Sequence, residues 1–176
     1  MKEISRDFKV EKPDGYKWLA PHCDIAGISH QKKDALIFAN NPSKILLFKQ
    51  PENKYDSNAI MVCDSQGRKL GYIPKEIATV IAELPKDSDV IGILRGIWVS
   101  DDEYIKITIA LLVKTNNSVS KFAEKIQDIQ NSNEETDKNN VDEKAKQPSF
   151  ITGCGCLFLS VVVIGGLILY VIEKLK

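Results

Sequence analysis

Short apolar runs, broken by polar turns, fill the stretch from Asp24 to about Lys114. Ile45-Leu46-Leu47-Phe48 and Ala59-Ile60-Met61-Val62 stand either side of a polar loop. Both have the length and the β-branched or aromatic character of buried strands. Asp64-Ser65-Gln66-Gly67 reads as a hairpin turn before Lys69-Leu70-Gly71-Tyr72-Ile73. Ile25-Ala26-Gly27-Ile28 reads as a short first strand, and Val90 to Leu94, running on to Trp98, as a later one. From Tyr104 to Val113, Ile105, Ile107, Ile109 and Leu111 alternate with Lys106, Thr108 and Ala110, the period of two of a strand. Ala35 to Ala39 fits either a strand or a helical turn. The period changes once: Ile77, Val80, Ile81 and Leu84 share one helical face. Pro74 sits near the first turn of that helix and Pro85 ends it.

Six or so short strands with one well-formed helix predict a mainly β fold, a small closed or half-closed barrel, since closure removes exposed edges. Helices are too few for a doubly wound sheet. Residues 1–20 are polar, with a turn at Pro13-Asp14-Gly15, and form a short arm or an extra edge strand; Trp18 and Leu19 are candidates to dock on the domain. The barrel then covers 21–114. Residues 115–149 form a polar linker, with a short helix over 118–130 whose face is Phe122, Ile126 and Ile129. Asn131 to Ser149 lacks the apolar residues to fold alone; as a flexible chain it would hold its ends roughly 25 Å apart.

The C-terminal pattern differs. Phe150 to Ile172 is 23 residues without a charge, and about 20 apolar residues in a helix span a bilayer. The reading is a transmembrane helix over 150–172, with a short tail at 173–176. Met1 to Ala20 has no apolar core of the signal-peptide kind. The expected topology is therefore a single-pass, tail-anchored membrane protein with the bulk of the chain cytoplasmic. Cys23, Cys63, Cys154 and Cys156 are the cysteines. A cytoplasmic domain argues against disulfides. The lone Cys154-x-Cys156 is too little for a metal site, and reads as small helix residues, with lipidation the alternative.

Charges balance at 24 basic and 24 acidic residues, so no basic field announces nucleic acid. No phosphate loop, H-E-x-x-H or G-x-S-x-G motif occurs. The chain reads as a non-enzyme without cofactor or metal.

The chemistry concentrates in the loop Pro51-Glu52-Asn53-Lys54-Tyr55-Asp56-Ser57-Asn58 and in Gly71-Tyr72-Ile73-Pro74-Lys75-Glu76. Tyr55 and Tyr72 offer stacking faces. Lys75 lies in the first turn of a helix, where free N–H groups favour phosphate, although Glu76 stands beside it. Lys32, Lys33, Lys54, Arg68 and Lys69 add charge, while Asp101-Asp102-Glu103 forms an acidic run elsewhere. A carboxylate at Asp56 would accept a hydroxyl and repel a phosphate, telling a strand end from a strand middle. The plainer reading is that Asp56 and Asn58 close the turn through backbone N–H groups; for Asn58 that role is favoured.

These residues, with Ala26-Gly27-Ile28, carry a resemblance. Ile25 to about Val113 resembles the HIRAN domain, whose pattern is close to E-P-x-N-P-Y-D-x-N-A-I followed by G-x-G-Y-[IV]-P-[KR]. The resemblance implies an OB-like six-stranded barrel with one or two short helices. It also implies a pocket for the 3′ end of single-stranded DNA, as in the best understood members, with a place in DNA repair or stress response. On that footing Tyr55 stacks on a nucleotide and Asp56 accepts the terminal 3′-hydroxyl. Asn53 and Lys75 line the pocket, Tyr72 faces the groove, and His30 falls at a groove position. Two positions depart from the pattern: Ser29-His30-Gln31 stands where remodeller-type members carry Arg-Tyr-Tyr, and Lys54 replaces a proline. The second expectation is therefore a membrane-anchored adaptor with a protein partner, keeping the barrel without the DNA-end site.

Overall fold

The computed structural model describes residues 3–144, 162–164 and 167–169. Residues 1–138 form one compact unit and 139–176 another. The first holds two antiparallel sheets. In one, β1 (Ile4–Asp7), β6 (Asp89–Val99), β7 (Ile105–Lys114) and β2 (Tyr16–Asp24) lie in that order. In the other, the order is β3 (Ile45–Lys49), β4 (Ile60–Asp64), β5 (Lys69–Tyr72). The helices are α1 (Lys32–Asn40), α2 (Lys75–Ala82) and α3 (Ser120–Lys144). The fold is thus mainly β, as expected. The expected six-stranded barrel is instead seven strands in two sheets, with three helices in place of one or two.

The alternation in β7 does what the period predicts. Ile105, Ile107 and Ile109 are buried with Lys106 exposed between them, and from Ala110 to Val113 every side chain is buried. Phe38 of α1, Leu19 of β2, Leu70 of β5 and Ile81 of α2 are fully buried in the same core. Fully burying each such side chain contributes about 1.5–3 kcal/mol. The N-terminal residues belong to the domain. β1 pairs with the second half of β6, Ile4 opposite Val99, and β2 pairs with β7. β2 carries register shifts between Trp18 and Cys23, around Pro21, which has no N–H to give a ladder. Leu19 is buried there, whereas Trp18 stays partly exposed.

The two sheets meet along two different seams. At one, Ala26 exchanges both backbone hydrogen bonds with Tyr72, at 2.8 and 2.9 Å, while Ile25 N–H donates to Ile107 O at 2.9 Å. Here Ile25-Ala26, expected as part of a strand, is a single bridge between sheets. A Cβ at Gly71 would lie 2.3 Å from Ala26 O, so only glycine permits that approach. At the other seam β3 lies against β6 without strand pairing. A Cβ at Gly92 would come within 3.1 Å of Ile45 Cγ2 and 3.4 Å of Leu47 Cδ2. Side chains alone close that side, and the barrel is half closed.

Ala35 to Ala39 resolves as helix: Ala35, Phe38 and Ala39 face the core from α1. α3 buries Ile126 and partly buries Phe122 and Ile129, the expected face, but runs on to Lys144 through residues read as unstructured linker. In the second unit, β8 (Val162–Ile164) pairs antiparallel with β9 (Leu167–Leu169). The expected transmembrane helix over 150–172 lies mostly outside the described residues, and those described within it are these two strands. Among the described residues no helix is long and apolar enough to cross a membrane. Cys154, Cys156 and the tail at 173–176 are also outside them.

Candidate nucleic-acid interface

The loop between β3 and β4 is built by two side chains acting on backbone. Gln50 N–H donates to Ala59 O at 2.8 Å and closes its neck. Asn53 Oδ1 accepts from the N–H of Tyr55 at 3.0 Å and of Asp56 at 3.4 Å. Asp56 Oδ1 accepts from Asn58 N–H at 2.9 Å. Two successive Asx turns result, and they push Tyr55 outward, where it is 82% exposed. The Lys54 ammonium lies 4.7 Å from the Tyr55 ring centroid, a cation–π contact. The turn-closing role of Asp56 is therefore present. It occupies one carboxylate oxygen; Oδ2, on a half-buried side chain, has no hydrogen bond among the described residues. Asn58 takes part through its backbone.

A chain of polar contacts ties this loop to β5. Asn53 Nδ2 donates to Gln50 Oε1 at 3.3 Å, and the Tyr72 hydroxyl donates to the same oxygen at 3.2 Å. Lys69 Nζ donates to the Tyr72 hydroxyl at 3.0 Å and lies 4.3 Å from its ring centroid. Tyr72 is the hub of the arrangement. Its hydroxyl reaches the loop, and its backbone holds Ala26 on the other side. Gln50 was not singled out from the sequence, because a strand-end glutamine carries no motif.

Beyond Ala26, Gly27 at φ 74° turns the chain into a 3-10 turn, Ile28–Gln31, which packs beside β5. His30 is exposed on it, and its N–H donates to Gly27 O at 3.2 Å. A cavity of about 330 Å3 opens next to this turn, lined by Asp24, Gly27, Ser29, Tyr104, Ile105 and Lys106 among others. Tyr104 is 61% exposed and sits 5.8 Å from the Trp98 ring, tilted 58°. The β6–β7 hairpin thus brings an aromatic face beside Ser29. Tyr104 was missed, although an aromatic at a strand start, diagonal to Trp98 in a hairpin, is a legible signal. The acidic run is partly committed here. Lys32 Nζ lies 2.6 Å from Glu103 Oε2, and its hydrogen bond and charge hold the Glu103 carboxyl below the ordinary range.

Lys75 opens α2, exposed, behind Pro74 as N-cap with no side-chain cap. The structure therefore joins Asn53 and Tyr72 through Gln50. It places Tyr55 and Asp56 on the same loop, and His30 on the turn stitched to β5. Lys75 is exposed at the helix start, three residues after Tyr72. The charges are mixed, since Lys54, Lys69, Lys75 and Lys106 are interspersed with Asp24, Asp56 and Glu76. Among the described residues, no three His, Cys, Asp or Glu side chains converge as a metal site.

The chain is similar to several known proteins. The helicase-like transcription factor of Oryctolagus cuniculus is 42% identical over 43 residues, 24% of this chain and only 4% of that protein. The crystal structure of the HIRAN domain of human HLTF is 21% identical, covering 63% of this chain and 92% of that one, with a TM-score of 0.43. A crystal structure of a protein from Lactobacillus plantarum is 19% identical over 65% of this chain and all of that one, with a TM-score of 0.40. The HIRAN domain description matches residues 22–116, more than half of the chain and the whole of the interface above, and the protein belongs to the HIRAN domain family.

Proposed function

We propose that this chain is a binding module, not an enzyme, and that it takes single-stranded nucleic acid, with a DNA 3′ end as the preferred form. The observation that carries the reading is the loop of Asn53, Tyr55 and Asp56. It offers an aromatic face to solvent and keeps one carboxylate oxygen free beside it. A free carboxylate oxygen accepts a terminal hydroxyl and repels a phosphate in the same place. Tyr55 and Tyr104 provide stacking faces, each worth about 1–3 kcal/mol to a base. Lys54, Lys69 and Lys75 supply phosphate contacts. In the full-length chain, fluorescence anisotropy with short single-stranded DNA should show about tenfold tighter binding to a 3′-hydroxyl end than to a 3′-phosphate end, weakening as salt rises. Equal and negligible binding to both would reject the reading in favour of the protein adaptor.

We also propose, from the uncharged run Phe150 to Ile172, that the module is tethered to a membrane from the cytoplasmic side. Alkaline carbonate extraction of cell membranes should leave the full chain in the pellet. Release of the chain into the supernatant would sink the tether without touching the binding site.

A further inference from the structure

α3 begins at Ser120, beyond the residues matched to the family, yet its first half is fixed to the domain. Ile126 is fully buried, Lys125 Nζ reaches Glu83 Oε1 at 2.7 Å, and Gln130 Nε2 donates to His22 O. Between α3, the end of β2 and the start of α2 lies a cavity of about 320 Å3. Its polar lining is His22, Asp24, Gln127, Gln130 and Asn133, over apolar walls that include Pro74 and Ile77. Several of these groups have capacity to spare. Gln127 Nε2 donates to Asn131 at 3.0 Å, which leaves its carbonyl oxygen. The His22 ring and the Asn133 amide have no hydrogen bond among the described residues.

The position matters as much as the lining. Asp24 lines both this cavity and the one beside Tyr104. Its carboxylate is held by Thr108 Oγ1 at 2.6 Å and Lys106 Nζ at 2.8 Å. Pro74, on the wall, is followed directly by Lys75. The cavity therefore adjoins the candidate interface and has a lysine on either side.

We infer that this cavity is a nucleobase subsite, taking one base of a single strand whose phosphates run past Lys75 and Lys106; the inference rests on the binding function proposed above. No lysine or arginine lines the cavity and a carboxylate does, so a phosphate is unwelcome inside it. Amide and imidazole groups match the donors and acceptors on base edges. The volume falls at the small end of the roughly 300–1,000 Å3 typical of ligand pockets, suited to a single base.

The test uses the full-length chain and single-stranded DNA carrying one abasic residue at each of the last few positions in turn. For the wild type, one position should weaken binding by about fivefold or more, the loss of one held base. Gln127→Ala with Asn133→Ala, and separately His22→Ala, should bind more weakly and lose discrimination at that position. They should keep the 3′-hydroxyl preference and the wild-type melting temperature. An abasic profile identical in wild type and variants, with end preference intact, would overturn the subsite alone. Loss of the end preference together with the discrimination would also overturn it, by showing that the substitutions act through the fold. Absence of any binding by the wild type would remove the proposed function and the subsite together.

Discussion

Two aspartates close two turns of the same three-stranded sheet, and they end in different states. Asp64, before the β4–β5 turn, is completely buried. Its Oδ1 accepts from Gln66 and Arg68 N–H, both at 2.9 Å, and its Oδ2 from Arg68 Nε at 2.7 Å and Nη2 at 2.6 Å. Asp56, in the β3–β4 loop, spends one oxygen on one backbone N–H and keeps the other. Both are Asx-type turns from the same residue type. Saturated bonding marks a structural residue, and leftover capacity beside an exposed aromatic marks a candidate reader of ligands.

The contrast can be broken most forcefully at Asp64. Burial pushes its carboxyl up, but backbone N–H groups of Arg68 and Gln66, with the Arg68 guanidinium, outweigh that and hold it below the usual value. Asp64→Ala should destabilise the fold by about 3 kcal/mol, the scale of breaking a buried pair, as read by urea unfolding. Because the folded value is depressed, the Asp64 contribution is complete above the ordinary carboxylate value of about 4. It is lost as pH falls through the lowered one, so Asp64→Ala should flatten the acid limb of the stability profile. A change at Asp64 that left stability untouched would dissolve the comparison.

The smaller effect sharpens it. Asp56→Asn keeps an acceptor for Asn58 N–H and removes the charge. It should shift stability by no more than about 0.5 kcal/mol, while erasing most of the 3′-hydroxyl over 3′-phosphate preference in anisotropy. Stability loss comparable to that of Asp64→Ala would place Asp56 among the purely structural residues.

Much of the fold was legible because period and breakers agree. The expected run Ile45 to Phe48 lies within the strand Ile45–Lys49, and Ile77, Val80 and Ile81 face the core from α2. The errors have physical sources. Ile25-Ala26-Gly27-Ile28 looks like a strand, but the positive φ of Gly27 turns the chain after one bridge. Residues 1–20 left a short arm and an extra edge strand both open, because β1 and the start of β2 expose most of their side chains; the edge-strand alternative holds, since β1 is an edge of the four-stranded sheet. From Asn131 to Lys144 the sequence holds one apolar residue, Val141, so no period signalled the helix there. At the interface, Asn53, Tyr55 and Asp56 were visible as a motif. Gln50 directly precedes that motif but carries no signature of its own, whereas Tyr104 and the α3 residues lining the second cavity reach Asp24 only through tertiary contacts.

The unpaired seam between β3 and β6 has a dynamic consequence. Parting it breaks side-chain contacts around Gly92, whereas parting Ala26 from Tyr72 breaks two backbone hydrogen bonds. Deuterium should enter the amides of β3 before those of β5, and breathing on that flank would leave the flank that carries Tyr72 and its neighbours rigid.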